Sequence, residues 1–200
     1  MIGIARLRNL QFVIEDVLER DVPGDLIEAG AWRGGATIFM RAVLKAHGVT
    51  DRAVWVADSF EGLPPPNIEK YPADEGMNLH LYAALSVSVE NVKRNFARFG
   101  LLDDQVKFLE GWFKDTLPDS PIEKLSVLRI DADLYESTMD ALVHLYPRLS
   151  PGGYVIIDDY GAFKACAKSV HDYRKRQGIT EEIYRIDWTG VFWQKKLLSQ

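Results

Sequence analysis

The sequence predicts an α/β fold: a mostly parallel seven-stranded sheet with helices on both faces and an antiparallel hairpin at its C-terminal edge. Three observations predict it. Short apolar runs alternate with segments of helical spacing along most of the chain, the pattern of repeated strand–helix–strand units whose crossovers cover both faces of a parallel sheet. Glycines or acidic residues follow almost every apolar run, and in open parallel sheets those positions face the ligand crevice. The last two runs are joined by Asp187-Trp188-Thr189-Gly190, a hairpin signal that adds antiparallel strands at one edge.

In order along the chain, the first twenty residues read as an amphipathic helix. Ile4, Leu7, Leu10, Ile14, Val17 and Leu18 recur at three- and four-residue spacing, while Arg6, Arg8, Glu15, Asp16 and Glu19 interrupt the run that a signal peptide needs. Leu26 to Ala29 is a short strand between Pro23-Gly24 and Gly30. Gly34 to His47 is helical, and Ala53 to Ala57 is a second buried strand. A helix over Val87 to Phe99, a strand over Val106 to Leu109 and a strand over Leu125 to Ile130 follow. Tyr135 to Leu149 is predicted helical, Tyr154 to Ile157 a strand, Phe163 to Gln177 a helix, and Glu182 to Ile186 with Val191 to Gln194 form the hairpin. Between the second strand and the next helix, Phe60 to Ser86 carries Pro64, Pro65, Pro66 and Pro72. A loop of this length inside a compact domain is usually functional, and it is read as a lid over the ligand crevice; the alternative is a surface excursion with a short helix around Met77 to Ala84.

The chain is 200 residues long, 47% hydrophobic and 26% charged, which suits one domain over residues 1–200 and excludes long disordered tracts. With 24 Lys and Arg against 29 Asp and Glu, the net charge of −5 gives no overall pull on nucleic acid or anionic membranes. No apolar stretch is long enough to span a bilayer. The single cysteine, Cys166, cannot form an internal disulfide, so a reducing, cytoplasmic compartment is expected.

The strand ends carry the chemistry. After the first strand, Glu28-Ala-Gly30-Ala-Trp-Arg-Gly34-Gly35 brings backbone close to a ligand at a helix N-terminus, which favours an anionic group. The loop lacks the Gly-Lys-Ser/Thr ending of a P-loop and matches Gly-x-Gly-x-x-Gly poorly. Asp58-Ser59 closes the second strand, where an acidic side chain can accept from ribose hydroxyls; Asp58 is otherwise a turn or helix cap. Asp131 and Asp133 alternate after the fourth strand and Asp158-Asp159 follow the fifth, so four carboxylates converge if those strands are neighbours. Such a group repels itself unless protonated or neutralised, and with no His or Cys in it a hard divalent ion such as Mg²⁺ is the economical partner. The bland alternative is that some are helix caps, Asp133 above all, since it precedes the Tyr135 helix. His47, His80, His144 and His171 lack a paired carboxylate or ligand spacing and read as structural or surface residues. Cys166 reads as a small core residue, and the basic run of Lys164, Lys168, Arg174, Lys175 and Arg176 as a solvated helix face.

Six segments together resemble a known family. They are Asp25-Leu-Ile-Glu-Ala-Gly-Ala-Trp-Arg-Gly-Gly35, Val54-Trp-Val-Ala-Asp-Ser-Phe60, Gly111-Trp-Phe-Lys-Asp-Thr-Leu-Pro118, Leu128-Arg-Ile-Asp-Ala-Asp-Leu-Tyr-Glu-Ser-Thr138, Gly152-Gly-Tyr-Val-Ile-Ile-Asp-Asp159 and Gly190-Val-Phe-Trp-Gln194. In this order they resemble the macrocin O-methyltransferase family, from about Gly3 to Lys195. Its members methylate sugar hydroxyls of macrolides and of the aminocoumarin novobiocin, on a Rossmann-like class I methyltransferase fold, using S-adenosylmethionine and Mg²⁺. The resemblance implies Asp131, Asp158 and Asp159 as metal ligands, Asp131 and Asp133 as the catalytic pair, and Asp133 as general base. It places Glu28 and Gly30 beside the methionine part of the cofactor, Asp58 and Ser59 at its ribose, Ser88 as a further wall, and Gly111 with Trp112 at the adenine end. It implies a small-molecule glycoside as substrate and a homo-oligomer, a dimer or tetramer. Family members usually carry some tens of residues ahead of the segment matching Met1, so acceptor recognition and assembly are expected to differ in a chain that starts there. Two other readings are a catechol-type methyltransferase, which needs the same two oxygens on one metal, and a cofactor-binding remnant without transfer activity.

Overall fold

The structure is a computed structural model that describes residues 2–196. Helix α1 (Ile4–Glu19) precedes strand β1 (Asp25–Ala29), α2 (Gly35–Ala46) and β2 (Val54–Asp58). Then come α3 (Val89–Arg98), β3 (Val106–Glu110), α4 (Phe113–Thr116), β4 (Leu125–Ile130), α5 (Tyr135–Leu145) and β5 (Leu149–Ile157). Helix α6 (Lys164–Gln177) leads to the short strands β6 (Tyr184–Arg185) and β7 (Val191–Gln194). The seven strands form one sheet in the order β3-β2-β1-β4-β5-β7-β6. The first five are parallel, and β7 runs antiparallel to both β5 and β6, as the sequence predicted.

Strand order reverses between β1 and β4, and this switch point opens the crevice in which such sheets bind ligands. Because β1 and β4 are buried on both sides, their residues alternate between two apolar layers. Leu26, Val54, Val127, Tyr154 and Ile156 pack under α1 and α2, where Leu10, Val13, Ile14, Val17, Met40 and Leu44 meet them. Ile27, Leu128, Ile130, Val155 and Ile157 pack against Met139, Leu142 and Leu145 of α5 and Val170 and Tyr173 of α6. A third cluster joins Val56 and Ile38 to Val92 and Phe96 of α3.

Several details differ from the sequence reading for identifiable reasons. On α1, Val13 is fully buried while Ile4 is 67% exposed, because the buried stripe starts only where the helix reaches the sheet. Helix α5 stops at Leu145, not Leu149: Pro147 cannot donate to the preceding turn, and residues Tyr146–Arg148 tighten into a 3₁₀ turn. Strand β5 starts at Leu149, well before Tyr154. Its ladder jumps from Leu125↔Leu149 to Val127↔Tyr154, so Ser150 to Gly153 bulge out between the two paired parts of the strand. Helix α4 was not anticipated. Residues 60–86 hold three isolated 3₁₀ turns, Pro72–Asp74, Leu79–Leu81 and Ala83–Leu85, where the alternative reading had one short helix. Cys166 is a buried core residue, and His47 meets Glu15 at the surface. Arg174 departs from the solvated-face reading: it is buried, lies 4.8 Å from the centre of the Trp193 ring, and donates to the Glu181 carbonyl. Among the described residues no helix is long and apolar enough to cross a membrane.

Candidate active site

The carboxyl ends of β1, β2, β4 and β5 surround a cleft of about 1050 Å³, closed on one side by residues 62–67 and on another by Arg6, Trp188 and Thr189. The glycine loop after β1 forms its floor. Gly30 has φ +95°, and a side chain there would put its Cβ 1.7 Å from the Asp131 carbonyl oxygen. The main chains of β1 and β4 touch at this point, and Asp131 N–H donates to Ala29 O at 2.8 Å. Gly30→Ala is therefore expected to abolish the soluble folded protein or lower its thermal midpoint by tens of degrees, whereas Gly35→Ala, at an open position, should melt like the parent.

Asp58 clasps this loop from β2. Its carboxylate accepts from Trp32 N–H at 2.9 Å and Phe60 N–H at 2.8 Å. Burial raises its pKa, and these backbone donors pull the other way. Trp32, itself at φ +47°, donates its indole N–H to Ala84 O at 2.9 Å, which ties the loop to the far end of residues 60–86. Ser59 donates to Gly62 O at 2.6 Å and fixes the start of the same segment. Glu28, Gly30, Asp58, Ser59 and Trp112 all line the cleft. Gly111 does not line it; at φ +135° it turns the chain after β3 so that Trp112 faces inward. Ser88 stands apart, exposed and capping α3 by accepting from Asn91 N–H at 3.4 Å.

Beside the loop lies a charged row that the sequence reading did not assemble. Glu28 on β1 and Arg129 on β4 are side by side in register, and both are 2% exposed. The Arg129 guanidinium donates to Glu28, to Asp131 at 2.9 Å and to Asp158. Arg6 of α1 donates to the other oxygen of Asp158 and pairs with Asp187 at 3.0 Å. Burial pushes Glu28 up to about 8 against the pull of Arg129, and the three carboxylates around Arg129 hold its own pKa above the usual value against the effect of burial. An arginine inside the buried strand Leu125–Ile130, whose other polar residue is Ser126, was the available signal; Arg6 was hidden in what read as the polar face of an amphipathic helix.

Asp131, Asp158 and Asp159 each offer an oxygen within 4.8 Å of the others. Asp133 projects into the same cleft from a left-handed conformation, φ +55°. Leu134 N–H closes a three-residue turn on Ala132 O at 2.5 Å, and Asp133 N–H donates to Asp159 at 3.2 Å. A γ-turn of this hand is strained, by roughly 1–3 kcal/mol, and persists only where its surroundings hold it. Burial, followed by repulsion from Asp131 and Asp158, pushes Asp133 up to about 7. Burial and the neighbouring carboxylates likewise raise Asp158 and Asp159. Among the described residues, the carboxylates of Glu28, Asp131, Asp133, Asp158 and Asp159 thus form ion pairs with only two guanidinium groups, those of Arg6 and Arg129. The donor set is all oxygen and short of positive charge, which suits a hard divalent cation. A carboxylate near neutral pKa in a cleft is also suited to accept a proton.

Comparison with known proteins agrees with this architecture. The macrocin O-methyltransferase (TylF) family model matches residues 1–195. The chain is 60% identical, over all of its length and 76% of the relative's, to the 8-demethyl-8-(2,3-dimethoxy-alpha-L-rhamnosyl)-tetracenomycin-C 4'-O-methyltransferase of Streptomyces olivaceus. It is 57% identical, over 98% of its length and 78% of the relative's, to the mycinamicin III 3''-O-methyltransferase of Micromonospora griseorubida. The solved structure of the O-methyltransferase NovP superposes with a TM-score of 0.96 at 54% identity, covering 98% of this chain and 81% of that one, so the sheet described above is the Rossmann-like methyltransferase fold. The chain belongs to the macrocin O-methyltransferase family.

Proposed function

We propose that this enzyme transfers a methyl group from S-adenosylmethionine to a sugar hydroxyl of a glycosylated natural product in antibiotic biosynthesis, with Mg²⁺ held by Asp131, Asp158 and Asp159. The observation that carries the reading is the convergence of those three carboxylates with Asp133 on the cleft whose floor is the glycine loop. The sugar-methylating activities named for the relatives support the acceptor class. S-adenosylmethionine would lie over the β1 loop, with Glu28 and Gly30 at its amino-acid end, Asp58 and Ser59 at its ribose and Trp112 at its adenine; it supplies a sulfonium methyl group to an incoming oxygen. A cation held by Asp131, Asp158 and Asp159 would lower the pKa of an acceptor hydroxyl and offset the charge of the carboxylates. Arg6 retains Asp187 as a partner, so Asp158 can give up one of its two arginine contacts without leaving a bare guanidinium.

The chain's own residues do the remaining work. Asp133 takes the hydroxyl proton at a carboxylate oxygen, and Glu28 and Arg129 anchor the floor on which donor and acceptor are aligned. Residues 60–86 cover the cleft and exclude water during transfer. Ser88, the exposed N-cap of α3, would contribute through the start of that helix.

Methyl transfer to a deoxysugar glycoside and to a catechol, each with and without EDTA, tests the reading. Turnover of the glycoside, lost on chelation and restored by added Mg²⁺, is expected. Turnover of the catechol alone would replace the acceptor class, and cofactor binding without any product would leave a binding remnant.

A further inference from the structure

Helix α5 begins immediately after the Asp131–Asp133 turn, yet its N-cap residue is Leu134, which offers no side-chain acceptor. An uncapped helix start leaves backbone N–H groups without partners. Here they are not orphaned. Asp74, sixty-one residues upstream in the 60–86 segment, is fully buried and accepts from Tyr135 N–H at 2.6 Å and Glu136 N–H at 3.2 Å. Tyr71 packs on Tyr135 with ring centres 5.7 Å apart, and the Asp74 backbone N–H closes its own turn on Tyr71 O at 3.0 Å. The helix that Asp133 would ordinarily cap is capped from another part of the chain. Asp133 is thereby left to turn the other way, through a strained left-handed conformation, into the cleft.

We infer that Asp74 is a positioning residue: by capping α5 from the covering segment it holds the Asp131–Leu134 turn in the form that presents Asp133 to the acceptor, and so makes proton acceptance depend on the seating of residues 60–86. Beside the Arg129–Asp131 ion pair, three hydrogen-bonding holds keep the strained turn in place. Two lie within the site, from Asp131 N–H to Ala29 O and from Asp133 N–H to the Asp159 carboxylate. The third is Asp74. If it is removed, Asp133, adjacent in sequence to the N-cap Leu134, is an acidic side chain able to cap the helix start, and such a cap would draw its carboxylate away from the cleft. The inference rests on the reading of Asp133 as proton acceptor.

The test compares Asp74→Ala and the isosteric Asp74→Asn, which keeps one acceptor, with the parent, and repeats Asp74→Ala in an Asp133→Asn background. Expected results are a kcat for methyl transfer lowered about 10- to 100-fold by Asp74→Ala, a KM for S-adenosylmethionine within about twofold of the parent, and partial recovery in Asp74→Asn. In the Asp133→Asn background, Asp74→Ala should cost no further kcat. Losses that multiply in the double variant, or a fully active Asp74→Ala, would overturn the role of Asp74. An active Asp133→Asn would instead overturn the assignment of Asp133, so the two failures are distinguishable. If Asp74→Ala does not fold, the Asp74→Asn cycle alone decides: additive loss with Asp133→Asn contradicts the inference.

Discussion

Asp133→Asn is expected to lower kcat for methyl transfer by roughly 10²- to 10⁴-fold, the usual contribution of a positioned general base. The fold should tolerate the change. The backbone N–H of Asp133, which the change leaves in place, donates to Asp159, and an amide removes a charge that burial and two neighbouring carboxylates already disfavour. Its thermal midpoint should equal or exceed that of the parent, and S-adenosylmethionine should bind as tightly by calorimetry. A lost kcat with an intact fold and intact cofactor binding is the signature of a group that acts on the acceptor proton. Parallel loss of kcat and cofactor affinity would point to a structural role for the Asp131–Leu134 turn instead.

Arg129→Met is expected to destabilise the protein by about 3–5 kcal/mol, because removing one member of a buried ion-pair group leaves the others as uncompensated charge. Methionine keeps the unbranched stem but not the guanidinium, so the loss combines the missing charge and donors with the space the guanidinium filled. Glu28 and Asp158, both nearly inaccessible, would lose the guanidinium donor between them. The pH dependence follows from Glu28. Its pKa in the folded protein, about 8, lies above the ordinary 4.5, so the folded state favours its protonated form and ionising it costs stability as pH rises from about 4.5 to about 8. Without Arg129 that cost grows. Chemical denaturation at pH 5 and pH 8 should therefore show the variant closer to the parent at pH 5. An equal deficit at both values would mean that Arg129 stabilises through packing and not through Glu28.

Most of the architecture was legible in the sequence because burial of a parallel sheet on both faces writes predominantly apolar runs such as Leu125–Ile130 and Tyr154 to Ile157, and helices write a different period. The strand-end residues followed from that alternation alone. What escaped the sequence depends on contacts between distant segments. Arg6 and Asp158 are 152 positions apart, and Asp74 and Tyr135 are 61 apart, so no local spacing could announce either pair. Asp133 shows the same limit. Local sequence favours a cap, and the structure gives that task to Asp74, a residue in a proline-rich stretch where nothing marked it. Asp58 shows a milder case, since its carboxylate serves as the turn cap that the sequence offered as one alternative and also lines the cleft that the other required.

The central claim is that Asp131, Asp158 and Asp159 hold a divalent cation at the methyl-transfer cleft. Titration of the chelator-stripped protein with Mn²⁺, following the free-ion signal by electron paramagnetic resonance, tests it without depending on any acceptor. One ion per chain, displaced by Mg²⁺, is predicted for the parent, with none bound by a folded Asp131→Ala variant that still binds S-adenosylmethionine. Equal Mn²⁺ binding by the parent and Asp131→Ala, or no binding by a parent that methylates its acceptor in EDTA, would contradict it.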